Sequence, residues 1–143
     1  VDTKTGEVKV LRFLAAQESG RVMNRLTFDN QVIGGITMGI GFGMTEARVL
    51  DSDQTGKMVN KNWHDYKLPT ALDVPQEIIS MPVELEDPIA NSAGAKWLGE
   101  PVTIPTGPAI ANAIYHATGV RVTRTPINPL QLCQLLAERR KEK

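Results

Sequence analysis

One carboxylate of this sequence stands where proton transfer would be favoured. Glu100 lies between Gly99 and Pro101, in a loop over 93–101. Four apolar residues flank it, Trp97, Leu98, Val102 and Ile104. An apolar setting raises the pKa of a carboxylate toward the range that a general base requires. The residues alone leave two interpretations open: a functional glutamate in an apolar pocket, or a loop residue held by a salt bridge.

Other patterns that suggest chemistry have ordinary structural explanations. The glycines of 39–43 resemble a dinucleotide fingerprint, but they lie inside a helical pattern instead of at a strand-to-helix turn. Asp51 and Asp53 resemble the start of a calcium loop, but the glycine has the wrong offset, so a hairpin turn explains them. His64 and His116 lack a second ligand at metal spacing, and no serine lies in a nucleophile elbow. No metal ligand is therefore predicted.

Composition excludes several kinds of partner. The 143 residues carry 16 basic and 16 acidic side chains, so the basic field of a nucleic-acid or anionic-membrane binder is absent. The uncharged run 32–44 is too short to cross a bilayer and is rich in glycine. The single cysteine, Cys133, cannot form an internal disulfide, which favours a reducing, cytoplasmic compartment. We predict no nucleic-acid partner and no membrane segment.

Hydrophobic spacing and turn residues predict the elements that position these side chains. Helices are predicted over 24–48 with Asn24 or Thr27 as its cap, over 104–118 ending at Gly119, and over 130–140 after Asn128-Pro129. Hairpins are predicted over 1–16 and 49–59, and strands over 78–85 and 120–124. The prediction is a single α+β unit over 1–143, with mixed or antiparallel strands and about three helices.

A row of glycines marks the first predicted helix. Gly35, Gly39 and Gly43 follow one another at steps of four residues. Each helical glycine costs about 1 kcal/mol relative to alanine, so a close approach must offset that cost. Either another backbone of this chain or a bound ligand can make that approach.

The loop that contains Glu100 resembles the molybdenum-binding subunits of the xanthine dehydrogenase and aldehyde oxidoreductase family. The family motif is Gly-Ala-Lys-Gly-(Val/Leu)-Gly-Glu-Pro, and this chain has Gly-Ala-Lys-Trp-Leu-Gly-Glu-Pro over 94–101. Further family segments are matched in the same order over 1–12, 20–24, 31–35, 39–41, 65–75, 108–114 and 126–129. The chain is therefore similar to the C-terminal segment of such a subunit's molybdenum-cofactor-binding domain.

The resemblance implies a molybdenum hydroxylase that oxidises an N-heterocycle or an aldehyde with oxygen from water. Glu100 would be the base that activates a metal-bound hydroxide. Gln31 would hydrogen-bond the cofactor, and Gly99 would let the backbone approach the metal. Gly35 and Gly39 would pack beside the pterin. The implied cofactor is molybdenum-molybdopterin, either plain or as its cytosine dinucleotide.

The resemblance also implies partners. Iron-sulfur clusters and FAD would lie on other subunits or domains, since this chain has no ligands for them. The implied partners are a purine-like heterocycle or aldehyde substrate, the rest of the molybdenum subunit, and the iron-sulfur and flavin subunits. The sequence starts at Val1 without a methionine, so we expect a piece of a longer subunit that is inactive alone.

The chain departs from the family pattern at several positions. Trp97 stands where the family has glycine, and it either obstructs the site or marks a divergent substrate pocket. Glu18-Ser19 replaces aspartate-valine, Arg25 replaces proline, and Met38 replaces glutamine. The alternative function is a non-catalytic module that binds cofactor or partner subunits. A third reading makes the basic residues of 139–143 a docking tail, although a solvated helix end explains them as well.

Overall fold

The computed structural model describes residues 1–141, so the last residues of the predicted basic tail, Glu142 and Lys143, lie outside the described residues. Its elements in chain order are strand β1 (Arg12–Glu18), helix α1 (Arg25–Met44), strand β2 (Glu77–Val83), a short 3-10 helix (Glu100–Val102), helix α2 (Thr106–Thr118) and helix α3 (Pro129–Lys141). The predicted α+β class with three helices is confirmed.

The two strands form a small parallel sheet. Arg12 pairs with Glu77 at one end, and Glu18 pairs with Val83 at the other. Parallel strands require a long crossover, which α1 and the irregular segment 45–76 provide here. The predicted mixed or antiparallel direction is wrong for this sheet, because β1 pairs with a strand 65 residues away instead of closing a local hairpin.

Two other local predictions also need correction. The turn predicted at 3–6 is present, since the Asp2 N–H donates to the Glu7 carbonyl at 2.8 Å and Gly6 has φ +76°. It joins no strand pair among the described residues, and Gly6 packs instead against the Pro129 carbonyl at the start of α3.

The strand predicted over 120–124 is irregular chain, in which Val120 is buried in the core. The hairpin over 49–59 is a turn closed by one antiparallel bridge, Leu50 to Met58.

Helix α1 is the centre of the core. Asn24 caps it, because the Asn24 side-chain oxygen accepts a bond from the Thr27 N–H at 3.1 Å. Its inward side chains recur at steps of four, and they pack against apolar residues from the later part of the chain. This core consists of Phe28, Val32, Ile36, Ile40, Val102, Ile110, Ile114, Val120, Ile127, Leu132 and Leu136. Within residues 1–141, no helix has both the length and the apolar character that a membrane span needs.

The glycine row of α1 packs against its own chain. A Cβ on Gly39 would overlap the Thr106 side chain, and one on Gly35 would come within 2.9 Å of the Val102 Cβ. A Cβ on Gly43 would lie 3.3 Å from the Cα of Gly107. The 3-10 helix and the start of α2 therefore lie almost directly on the backbone of α1, which is one of the two explanations that the sequence left open.

The irregular segment after α1 is held by buried or clustered polar groups. Asn60 is buried, accepts from the Val49 N–H at 2.9 Å and donates to the Ala47 carbonyl at 2.7 Å. Asp73 accepts from Lys67 Nζ at 2.6 Å and from the Thr70 N–H at 2.7 Å. The bond from Lys67 and those from Thr70 lower the pKa of Asp73 to about 2.

The glycine contacts predict opposite effects for two substitutions on α1. Gly39→Ala should lower the free energy of unfolding by about 1–3 kcal/mol, because the new methyl group overlaps Thr106. Gly34→Ala should raise it by about 0.5–1 kcal/mol, because a Cβ there meets open space. Urea unfolding of the two variants measures both changes. Equal effects would contradict the packing described.

The Asp73 cluster predicts a pH-dependent loss of stability. A lowered carboxylate pKa stabilises the fold fully above its ordinary value of 3.8, and that contribution is lost as the pH falls through about 2. Asp73→Asn should therefore cost about 1 kcal/mol near neutral pH, after allowance for partial solvent exposure, and almost nothing at about pH 2. Urea unfolding at both pH values measures the difference. Asp53→Asn is the matched control, because that carboxylate accepts a long 3.4 Å bond from Ser52.

Candidate functional site

Glu100 is the first residue of the 3-10 helix and faces solvent. Pro101 suits the first turn of this helix, since its missing N–H would have no partner there. The Glu100 carbonyl accepts from the Thr103 N–H at 2.8 Å, and buried Val102 docks against Gly35 of α1. The backbone of Glu100 is thus held by a hydrogen-bonded turn that is docked on α1. The apolar enclosure that the sequence predicts around it is not formed by residues 1–141, because the Glu100 side chain is exposed.

An open cleft of about 540 Å³ lies beside Glu100. Its other walls are apolar or small, and two of them, Met38 and Phe42, come from the exposed side of α1. Ile104, Gly107 and Pro108 form the opposite wall. Glu100 is the one carboxylate among the residues that line this cleft.

An exposed stripe on α1 connects this cleft to Gln31. Gln31, Gly34, Met38 and Phe42 follow at steps of three and four residues, and all four are exposed. Gln31 and Met38 are seven positions apart on the helix, which corresponds to about 10 Å along its axis. The structure therefore places Gln31 on the stripe that borders the Glu100 cleft, two steps beyond Met38 toward the N-terminus of α1.

The three glycines predicted to bind cofactor occupy different environments. Gly35 and Gly39 are buried against the 3-10 helix and α2, as described above. Gly99 is open: a Cβ there would meet nothing nearer than two ring carbons of Trp97 at 3.8 Å. The Trp97 side chain is itself 70% exposed. The packing of residues 1–141 therefore does not explain why position 99 has no side chain.

Gly34 is a candidate that the sequence-based prediction missed. It lies on the exposed stripe next to Gln31, and a Cβ there would have no neighbour within 4 Å. Spacing alone could not separate the two glycines, because steps of three and of four from Gln31 both stay near its face of the helix. The structure separates them, since Gly35 is buried and Gly34 is exposed.

The Glu100 loop is anchored to the turn that follows β1. Gly20 and Ala95 form an antiparallel bridge, and the Lys96 N–H donates to the Ser19 carbonyl at 2.7 Å. Lys96 Nζ also lies 2.9 Å from Glu18 Oε2. The bond with Lys96 lowers the pKa of Glu18 and raises that of Lys96. The sequence identified Glu18 only as a departure from the family pattern.

The two histidines take no part in this arrangement. His64 and His116 are both exposed, and neither lines the Glu100 cleft. Within residues 1–141, no group of three or more His, Cys, Asp or Glu side chains is placed to hold a metal ion.

The fold matches a fragment of a molybdenum-cofactor-binding domain. The chain belongs to the molybdopterin cofactor-binding domain family, whose profile matches residues 1–75. The resemblance found in the sequence is therefore confirmed.

Individual relatives extend the match to most of the chain. The aldehyde oxidoreductase molybdenum-binding subunit PaoC of Escherichia coli (strain K12) is 42% identical over 128 residues, which cover 89% of this chain and 17% of that protein. The putative xanthine dehydrogenase molybdenum-binding subunit XdhA of the same strain is 40% identical over 132 residues, covering 92% and 17%. The crystal structure of quinoline 2-oxidoreductase from Pseudomonas putida 86 matches with a TM-score of 0.82 at 29% identity, covering 96% of this chain and 17% of that one. The chain thus spans about a sixth of the length of its relatives.

Proposed function

We propose that this chain supplies the proton-accepting side of the active site in a xanthine dehydrogenase-like molybdenum hydroxylase. The observation that carries the proposal is Glu100, an exposed carboxylate on a hydrogen-bonded turn at the edge of a largely apolar cleft. The complete enzyme inserts a water oxygen into a C–H bond of an N-heterocycle or an aldehyde. The remaining walls of the pocket come from the rest of the subunit, so the chain by itself has little activity.

The residues present fit a bound molybdopterin cofactor. Gly34 and Gly99 both have open Cα faces, which permit the close approach of a large planar group. Gln31 presents an exposed side-chain amide on the same stripe as Gly34. Amides both donate and accept hydrogen bonds without titrating near neutral pH. Gln31, Gly34 and Gly99 are therefore the residues of this chain that would hold the cofactor, whereas Gly35 and Gly39 would position the helix beneath it.

Glu100 would act as the general base. When bound, the cofactor supplies the metal centre that accepts the two electrons of the oxidation. An oxygen nucleophile derived from water must lose a proton as it attacks the substrate carbon, and a Glu100 carboxylate oxygen accepts it. The apolar walls at Met38, Phe42 and Ile104 would restrict water around that oxygen once the rest of the subunit covers the cleft.

The wider assignment follows the same proposal. The substrate is a purine-like heterocycle or an aldehyde, and the cofactor is molybdenum-molybdopterin, plain or as the cytosine dinucleotide. Electrons leave through iron-sulfur and flavin groups on partner subunits or domains, in the cytoplasm. This neutral chain is not expected to bind nucleic acid.

Replacing the proposed base tests the assignment. Glu100→Gln keeps the shape of the side chain but removes its capacity to take a proton, so turnover should fall by about 10²–10⁴-fold. Steady-state kinetics of the complete complex with xanthine and with benzaldehyde measure this loss. Molybdenum content should remain at the wild-type level, because the carboxylate is not assigned to cofactor retention.

The control for this experiment is Glu84→Gln, which removes an exposed carboxylate from the loop after β2. It should leave turnover unchanged. Near-normal turnover of the Glu100 variant would refute the assignment of the base, whereas equal losses in both variants would indicate a general effect of charge.

A second candidate function is supported by the position of Trp97. Its ring lies 3.8 Å from the place where a Gly99 Cβ would be, beside the residue proposed to face the metal centre. An indole there can obstruct the site, which would leave a non-catalytic module that binds cofactor or partner subunits.

Removing this ring separates the two functions. If the site works with Trp97 as one of its walls, Trp97→Gly in the complete complex should not raise turnover and should weaken substrate binding, seen as a higher KM. If Trp97 obstructs the site, the same change should create activity in a protein that lacks it. Kinetics with both substrate classes decide between these results.

A further inference from the structure

The loop before Glu100 has little regular structure of its own. Between the end of β2 at Val83 and the 3-10 helix, the described chain contains turns and one isolated bridge residue, Ala95. A loop without regular structure is held in place by the contacts that it makes with other parts of the fold. The docked 3-10 helix holds Glu100 from the side that follows it in the chain, and the contacts of this loop hold it from the side that precedes it.

These contacts concentrate at the turn after β1. On the backbone, the Arg21 N–H donates to the Gly94 carbonyl at 2.9 Å, and the Lys96 N–H donates to the Ser19 carbonyl at 2.7 Å. Each partner in the loop lies within six residues of Glu100. The backbone bridge thus defines the pairing of the two segments.

One side chain adds a link that the backbone does not provide. Glu18, the last residue of β1, uses both carboxylate oxygens: Oε1 accepts from the Gly20 N–H at 2.6 Å, and Oε2 lies 2.9 Å from Lys96 Nζ. The same ammonium group lies 3.7 Å from Asp87 Oδ2. Glu18 thus connects β1 and the turn after it to the loop before Glu100. The Glu18 and Lys96 side chains are each 34% exposed, so water competes with the pair but does not surround it.

We infer that Glu18 and Lys96 are positioning residues for Glu100. The inference rests on the proposed function, since it assigns these residues a role in the same reaction. In this inference Glu18 and Lys96 act by holding residues 94–100 against the end of β1. Small displacements of a reacting group lower turnover sharply, whereas substrate affinity depends on other walls. Breaking the pair should therefore reduce kcat more than it changes KM.

The experiment uses the complete complex with four variants of the pair. Glu18→Gln removes the charge but retains an oxygen that can accept from the Gly20 N–H, and Lys96→Met retains the aliphatic stem. Each should lower kcat by about 10-fold to 100-fold while KM stays within about twofold. The double variant should be no worse than either single one, because both remove the same link. Lys96→Arg, which can still pair with Glu18, should restore most of kcat.

Hydrogen exchange provides a readout that does not depend on turnover. Amide exchange over residues 93–100 should become faster in Glu18→Gln and Lys96→Met, with exchange across α1 unchanged. The matched control is Glu77→Gln, which breaks the exposed Arg12–Glu77 ion pair at the opposite end of β1. It should alter neither kcat nor exchange in the loop.

Each departure from this pattern has a distinct meaning. Unchanged exchange over 93–100 would overturn the inference, as would faster exchange with an unchanged kcat or an additive double variant. Parallel measurement of Glu100→Gln separates the two proposals. If that variant keeps normal turnover, the assignment of the base fails, and the exchange data still report whether Glu18 and Lys96 order the loop.

Discussion

The close docking of the 3-10 helix and α2 onto the glycine face of α1 is the contact on which the rest of the structure depends. Gly35, Gly39 and Gly43 bring the backbones within reach of direct contact, and no other residue type permits this without displacement. The docking buries Val102 and Ile110 against the core of α1. It also determines the position of Glu100, which begins the docked turn. The packing thus offsets the free-energy cost of glycine in a helix, and it also places the candidate base.

The same helix presents different chemistry on its two sides. The inward side is a contact surface for its own chain, while the outward stripe of Gln31, Gly34, Met38 and Phe42 remains uncovered within residues 1–141. A helix that is packed on one side and open on the other can orient polar and apolar groups toward a ligand without itself moving. The position of Glu100 at the edge of this stripe is therefore a property of the core as much as of the loop.

Elements with strong local signals could be predicted from the sequence. Asn24 and Asn128-Pro129 mark helix starts that the structure confirms, because capping depends on neighbouring residues alone. The direction of β1 could not be predicted, since its partner lies beyond α1 and the local turn at Gly6 suggested a hairpin. The alternating Val120 and Val122 imitate a strand, but both side chains pack on the core from irregular chain. The motif around Glu100 located the candidate base. The exposure of Glu100, and the ion pair that links Lys96 of its loop to Glu18, depend on tertiary contacts that no local pattern contains.

The N-terminal turn has a consequence for the order in which the chain folds. Gly6 fits against the Pro129 carbonyl, Cys133 Sγ lies 3.4 Å from the Lys4 carbonyl, and Arg140 donates to the Thr3 carbonyl at 2.8 Å. Because residues 3–6 precede α3 in the chain, the ribosome makes this turn long before it makes the helix that covers it. Contacts of such large sequence separation form late and slowly, because the loop between them must be ordered first. Packing of residues 3–6 therefore cannot be completed until α3 has been synthesised.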